Sequence, residues 1–458
     1  MMKCIILAAG KGSRMNMRGV PKPLIPFLGM PLIERVILTF KNFGIGEFIV
    51  VLGYKADVVR EFLSGLIEKY NIKIEFTYNN EWDRENGLSL LAGKDFVNEP
   101  FILTMTDHLF DEKIIDRFLR YVKDKKSEGI LLAVDKKKEN IDHIDLKDVT
   151  KVYTVDSKII RIGKDLDQYN AFDTGLFYCT PEVFDAAEKA IKKGKTTLSD
   201  VVLEMAARDK AFVFDILEEI WFDIDTEPMF KRAEKYFLKK YNKSDRKVNL
   251  DGPVSRLINR KISLLISKYL SYKNVTPMQI SIFSFLLSIV SGIIFMIKGY
   301  IPLLIAGIIA QLSSIIDGCD GEIARIKNMV SDTGGWIDSV LDRYADSFIL
   351  IGLTVHSSFY VRHIVALLTG FFAVIGGFIN SYTADKYDGY LKKKLKKHKK
   401  LTLRLGRDVR IFIIFLGSLF NIPFITLLLL ALITNFENVR RLVSIYRIED
   451  NKVLSTKS

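Results

Sequence analysis

The second half of the sequence holds six long apolar stretches, at residues 280–297, 301–316, 336–355, 361–381, 409–420 and 423–436. No other feature restricts the fold as much. A backbone crossing hydrocarbon must satisfy its own hydrogen bonds, and runs of this kind predict membrane helices. The last two are short for a core about 30 Å thick unless flanking residues join them. Between the second and third runs lies DGCDGEIARIKNMVSDTGGWIDSVLD, residues 317–342. On helices, Asp317 and Asp320 stand at i, i+3 and Asp338 and Asp342 at i, i+4, so each pair shares a face. Two helices can therefore bring four carboxylates to one point. An Asp at the centre of a membrane helix costs roughly 2.5–3.5 kcal/mol on insertion scales, so four of them require a cavity, a cation or a surface location. A hard divalent cation takes oxygen ligands and shares them with a substrate's phosphates, which makes a diphosphate the natural companion.

The full spacing is D-x2-D-G-x2-A-R-x8-G-x3-D-x3-D, filled by Asp317, Asp320, Gly321, Ala324, Arg325, Gly334, Asp338 and Asp342. It resembles the signature of the CDP-alcohol phosphatidyltransferase family. The resemblance implies that Asp317, Asp320 and Asp338 ligate metal, and that Asp342 lies near metal and acts as general base on an acceptor hydroxyl. It also implies that the nucleotide is approached by Gly321, Ala324, Arg325 and Gly334. Metal charge would lower the hydroxyl's pKa and neutralise the departing CMP.

The first half mixes charged and apolar residues throughout, and the composition shifts near residue 250. The sequence start, residues 1–9, runs straight into a glycine loop, so a cytoplasmic domain is expected there. Cys4, Cys179 and Cys319 are far apart and in no metal-ligand spacing, so neither a disulfide framework nor a zinc site is indicated. Of the formal charge of +13, nine units fall within residues 386–410, where eleven Lys/Arg stand against two Asp. A basic loop between apolar segments fits positive-inside bias and anionic headgroups, not nucleic acid.

Residues 3–7 (KCIIL) predict a buried strand, followed by a loop, AAGKGSRM, that enters a helix. Leu7, Ala8 and Ala9 lead into Gly10 and Gly12, which let backbone N–H groups approach an anion, while Lys11 and Arg14 add charge. Neither the P-loop spacing nor the dinucleotide spacing is present. Apolar runs then alternate with helical periods: helix 31–42, strand 48–52, helix 57–69, strand 73–78. This alternation predicts an α/β domain with a parallel, doubly wound, Rossmann-like sheet. A strand at 101–105 ends on Asp107, which would face the ligand crevice. In 221–226 (WFDIDT), alternation points Asp223 and Asp225 the same way, and the sequence does not choose between them as a metal ligand.

The loop followed by Pro21-Lys22-Pro23-Leu24 resembles the sugar-phosphate nucleotidyltransferase family. That implies a base and triphosphate seat at Ala8 to Gly12, with Lys22 and Arg14 stabilising the reacting phosphate. It implies a base and sugar loop at 80–90 with Asn86, Gly87 and Ser89, and a metal ligand at Asp107. Residues 170–178 resemble the sugar-phosphate pocket lining. His108 is expected to hydrogen-bond locally.

Residues 230–241 predict an amphipathic helix, 242–251 a polar hinge and 252–270 an interfacial helix. The expected domains are 1–230, a cytoplasmic nucleotidyltransferase; 231–270, linker and interfacial helix; 271–448, an all-α six-helix transmembrane transferase; and 449–458, a cytoplasmic tail. Six spans place both termini, the 317–342 site and the basic loop on one side. Arg407 and Arg410 are candidates for an acceptor phosphate.

An enzyme that makes a CDP-activated compound, joined to one that consumes it, resembles the bifunctional family of inositol-1-phosphate cytidylyltransferases and di-myo-inositol-phosphate-phosphate synthases. The resemblance implies CTP and inositol 1-phosphate as substrates, CDP-inositol as intermediate, Mg²⁺ or Mn²⁺ in both domains, a lipid bilayer, no nucleic acid, and a homodimer through the membrane helices. The same two-step chemistry would also serve another CDP-alcohol or a lipid acceptor.

Overall fold

Strand β1 (Lys3–Ala8) is buried on both faces from Cys4 onward, as an unbroken apolar run requires. It lies parallel to β4 (Glu47–Leu52) on one side and β6 (Phe101–Met105) on the other, and β4 lies parallel to β5 (Lys73–Tyr78). The computed structural model describes residues 2–12, 14–15, 19–124, 128–137, 142–243, 253–386 and 406–455. It divides into two compact units, Met1–Phe237 and Leu238–Ser458. The polar hinge expected at 242–251 and most of the basic loop fall outside the described residues.

The first unit is a nine-stranded sheet in the order β5-β4-β1-β6-β11-β8-β12-β10-β9. Helices α1 (Leu32–Lys41) and α2 (Ala56–Tyr70) supply the crossovers between its parallel strands. The sheet is mixed, which corrects the expectation of a parallel one. Strand β11 (Ala171–Cys179) runs antiparallel to both β6 and β8 (Ile130–Asp135). Its predecessors β9 (Lys151–Val155) and β10 (Lys158–Gly163) form a tight hairpin, and no crossover helix follows to bring the chain back parallel. Strand β12 (Ala211–Asp215) then rejoins β8 in parallel. A two-stranded ribbon pairs β7 (His108–Phe110) with β13 (Trp221–Asp223), in a register that sets Asp223 opposite His108. The segment read as a loop at 80–90 contains a helix, α3 (Asn86–Leu91). Further helices are α4 (Glu112–Asp124), α5 (Glu182–Lys192), α6 (Leu198–Ala206) and α7 (Glu227–Lys243). The three cysteines are buried and unpaired.

The second unit is helical among its described residues. A single π-helical turn (Ser255–Asn259) leads into α8 (Arg260–Ser271), then α9 (Pro277–Phe295), α10 (Tyr300–Ile326), α11 (Asp332–Ser358), α12 (His363–Lys386), α13 (Arg407–Leu419) and α14 (Pro423–Ser455). All six apolar stretches are helical. Among the described residues four helices, α9, α10, α12 and α14 as far as Tyr446, are long and apolar enough to cross a membrane. With 13 residues, α13 reaches about 20 Å at 1.5 Å per residue. On α9 the packing is inverted relative to a helix of a water-soluble bundle, while Leu303, Ile349, Leu353, Ile414 and Leu430 of the other helices form a buried apolar cluster. On α9, Ser284, Ser288, Ser291 and Gly292 are buried while Phe283, Leu286 and Ile293 are exposed. Burial of small residues with large apolar ones outward is the pattern expected of helices that pack without a hydrophobic drive between them, where close approach decides the interface.

Candidate active sites

At the carboxyl end of β1 the chain turns through Gly10 and Gly12 into a solvent-open cavity of about 280 Å³. Gly12 has φ +70°, and a Cβ there would lie 2.8 Å from Lys22 Cβ, so the tight turn and the lysine stem pack against each other. Leu7, Ala9, Gly10, Gly12, Asn86 and Ser89 line the cavity. Ala8 is instead buried in the strand, Lys11 lies over the Tyr54 ring at 5.6 Å, and Gly87 donates its N–H to the Thr196 carbonyl at 2.9 Å. Asn86 Oδ1 accepts from Leu198 N–H at 2.9 Å, and Ser89 Oγ accepts from Asn79 Nδ2 at 2.9 Å.

Lys22 follows Pro21 and is held in a one-turn helix; it is 7% exposed, and its ammonium joins Asp107 and Asp225. Arg14 pairs with Asp148 and stands 3.3 Å from Asp225 Oδ2. Burial alone would raise the Asp107 carboxyl, but the charges of Lys22 and His108 hold it down at about 2. Burial and the neighbouring Asp223 and Asp107 push Asp225 up against the pull of Lys22. For His108, burial disfavours the charged ring, yet Asp223 and Asp107 raise it to about 9. Asp173 is raised to about 6, chiefly by burial.

The ligand atoms of Asp107, His108 and Asp223 lie within 4.8 Å of one another, as do those of Asp148, Asp223 and Asp225. Among the described residues, Asp107 Oδ1 and Asp223 Oδ1 are buried without a hydrogen-bond partner. Unsatisfied carboxylate oxygens that converge in this way fit a hard cation. Sequence reasoning missed Asp148. It sits in a polar stretch without periodicity, and only folding brings it to Arg14. His108 lies beside Asp107 and, through Nε2, 3.7 Å from Asp223, and its ligand atom belongs to the same acidic group.

In the second unit, α10 carries Asp317 and Asp320, and α11 carries Asp338 and Asp342. Ligand atoms of Asp317, Asp320 and Asp338 lie within 4.8 Å of one another, and Asp338 Oδ1 is buried without a hydrogen-bond partner. This donor set also fits a hard cation. Two hydroxyls of α9 support it: Ser284 donates to Asp317 at 3.1 Å and Ser281 donates to Asp320. Asp342 is set apart from this trio. It is 2.7 Å from Arg407 Nη1, which is also 2.7 Å from Asp317. Gly321 faces the Arg325 guanidinium, Ala324 is half-buried, and Gly334 lies in the first turn of α11, where its N–H donates to Ser331 Oγ at 3.0 Å. Arg407 and Arg410 both reach Asp346, a carboxylate that the sequence reading left out. Its signal was present, because Asp346 extends the D-x3-D period by one more turn.

Residues 4–196 match the MobA-like NTP transferase domain, and residues 274–436 match the CDP-alcohol phosphatidyltransferase domain. A protein of Aquifex aeolicus named bifunctional IPC transferase and DIPP synthase is 32% identical over 98% of this chain and 99% of its own length. Its namesake in Thermococcus kodakarensis is 35% identical over 95% of each chain. Among solved structures, the inositol-1-phosphate CTP transferase from T. maritima is 26% identical, with a TM-score of 0.45 over 51% of this chain and 94% of that one. With near-complete coverage by such relatives and with both transferase domains, this chain belongs to the family of bifunctional IPC transferases and DIPP synthases.

Proposed function

We propose that the chain catalyses two consecutive reactions. The first joins CTP and inositol 1-phosphate into CDP-inositol and pyrophosphate. The second transfers phosphoinositol from CDP-inositol to a hydroxyl of another inositol 1-phosphate, giving di-myo-inositol phosphate phosphate and CMP. The observation that carries this reading is the presence, in each unit of a chain of this family, of converging carboxylates beside a basic residue largely withdrawn from solvent: Lys22 in one and Arg407 in the other.

In the first unit the cavity at Leu7 to Gly12 receives CTP, with the base toward Asn86 and Ser89. A phosphate oxygen of inositol 1-phosphate attacks the α-phosphorus, and the P–O bond to pyrophosphate breaks. Lys22 and Arg14 neutralise charge on the reacting phosphates and hold them in line, and no covalent enzyme intermediate is needed. In the second unit Asp342 takes the proton of the acceptor hydroxyl as the hydroxyl oxygen attacks the inositol-bearing phosphorus of CDP-inositol, and the P–O bond to CMP breaks. Arg407 and Arg410 receive the acceptor's phosphate, and Gly321, Ala324, Arg325 and Gly334 border the nucleotide. Asp107, Asp223 and Asp225 in one site, and Asp317, Asp320, Asp338 and Asp342 in the other, would hold Mg²⁺ or Mn²⁺, which when bound neutralises the phosphate groups and polarises the P–O bonds.

The chain is placed in the cell membrane, with residues 271–448 crossing six times as a homodimer and both sites on the cytoplasmic face. Four apolar helices and the inverted packing of α9 support membrane insertion.

Purified protein in detergent is given CTP, Mg²⁺ and inositol 1-phosphate, and pyrophosphate, CMP and phosphodiester are followed for wild type and Asp342→Ala. Pyrophosphate from both, with CMP and a water-soluble phosphodiester from wild type only, is expected. Absence of pyrophosphate with inositol 1-phosphate, yet release with another phosphorylated alcohol, overturns the substrate assignment.

A further inference from the structure

Asp346 lies one turn beyond Asp342 on α11, third in an i, i+4, i+8 series with Asp338 and Asp342. The signature motif ends at Asp342 and gives Asp346 no role. Its two oxygens receive two different arginines. Oδ1 accepts from Arg407 Nε at 3.0 Å, and Oδ2 accepts from Arg410 Nη2 at 2.6 Å. Arg410 also donates to Ser381 Oγ on α12 at 3.2 Å, so three helices meet at this carboxylate.

The geometry does more than neutralise charge. A guanidinium is planar, and fixing its Nε fixes the direction of the whole fork. With Nε held by Asp346, Nη1 of Arg407 is turned toward Asp317 and Asp342, 2.7 Å from each, and is buried without a well-directed hydrogen bond among the described residues. Arg410, 5% exposed, stands behind as a second fixed positive charge in a low-dielectric surrounding. Without Asp346 the two neighbouring cations would lose the carboxylate they share, and Arg407 would lose the bond that holds its Nε.

We infer that Asp346 is a positioning residue for the second reaction: it orients Arg407, backed by Arg410, as the receptor for an acceptor's phosphate, and so sets the preference for a phosphorylated acceptor. This inference rests on the acceptor reading given above. It makes Asp346 a determinant of acceptor choice, with no direct contact to the reacting atoms.

The test uses the full chain in detergent, supplied CDP-inositol and Mg²⁺, and CMP release with either inositol 1-phosphate or myo-inositol as acceptor. Asp346→Asn is expected to raise KM for inositol 1-phosphate about 10- to 100-fold, as expected for losing oriented charge-assisted hydrogen bonds. KM for CDP-inositol and the rate with myo-inositol are expected to stay within roughly threefold of wild type, since uniform acceptor binding alone is lost. Asp346→Glu restores part of the acceptor KM. Arg410→Lys, which keeps the charge but not the fork, shifts acceptor KM in the same direction and serves as the test where Asp346→Asn does not fold. An acceptor KM unchanged in both variants, or a rise confined to CDP-inositol, overturns the inference and leaves the two-step reading intact. Absence of CMP release by wild type with inositol 1-phosphate overturns the acceptor reading, and this inference with it.

Discussion

Replacing Lys22 by Met removes one positive charge while keeping the alkyl stem that packs against Gly12. Lys22 joins Asp107 and Asp225, with its side chain 9% exposed. Its charge is the foremost of the causes that hold Asp107 at about 2. A unit pair about 4 Å apart is worth about 4 kcal/mol at an effective dielectric near 20. Removing one partner of a buried pair costs roughly 3–5 kcal/mol, because the remaining charge is left uncompensated. If Lys22 also stabilises charge developing on the reacting phosphate, losing it costs about 10²–10³ in kcat, the scale seen for a single preorganised donor. The assay is pyrophosphate release from CTP and inositol 1-phosphate by the full chain. It is paired with CMP release from supplied CDP-inositol, and with amide exchange in β1 and β6. Lys22→Met is expected to lose the first activity, to weaken protection of those strands and to leave the second activity unchanged. Pyrophosphate release within roughly threefold of wild type, where the electrostatic role demands a far larger loss, refutes the reasoning. Parallel loss of both activities refutes it as well.

Two further perturbations test the frames of the two units. Asp135 is fully buried, and its carboxylate meets His143 Nε2 at 3.0 Å, Trp221 Nε1 at 3.2 Å and Lys137 Nζ at 3.2 Å. Burial alone would raise its pKa, but the hydrogen bonds from His143 and Lys137 lower it. The stability it contributes is therefore present above the unfolded carboxylate range, near pH 4, and is lost as pH falls through the lower folded value. Asp135→Asn is expected to lose about 1–3 kcal/mol at neutral pH and to flatten that acid limb in denaturant titrations followed by exchange in β8. On α11, a Cβ at Gly352 would lie 2.9 Å from Gly292 Cα on α9, so Gly352→Ala must part the two helices. A loss of about 1–3 kcal/mol in detergent stability is expected, with CMP release impaired and pyrophosphate release intact; a variant with unchanged thermal stability contradicts this packing.

Local order was largely legible. The 3.6-residue period placed Asp317 with Asp320 and Asp338 with Asp342 on common helix faces, because rise and turn per residue are fixed by backbone sterics. The apolar run of β1 and the turn at Gly12 followed from the same local rules. Asn86 to Leu91 did not, since its polar start resembled a loop. That segment is helical where Gly87 N–H meets the Thr196 carbonyl and Asn86 Oδ1 receives Leu198 N–H, contacts over a hundred residues away.

The sequence by itself carried the resemblance to two transferase families, and it determined the helical character of the second half and the pairing of Asp317 with Asp320 and of Asp338 with Asp342, since each pairing depends on spacing within one helix. Tertiary structure alone decided the partners. The β7–β13 register set Asp223 across from His108, Asp148 reached Arg14 across 134 residues, and Arg407 was brought between Asp317, Asp342 and Asp346. Those pairings depend on loop closure and on which charges share one enclosed space, and neither is encoded in any single stretch of chain.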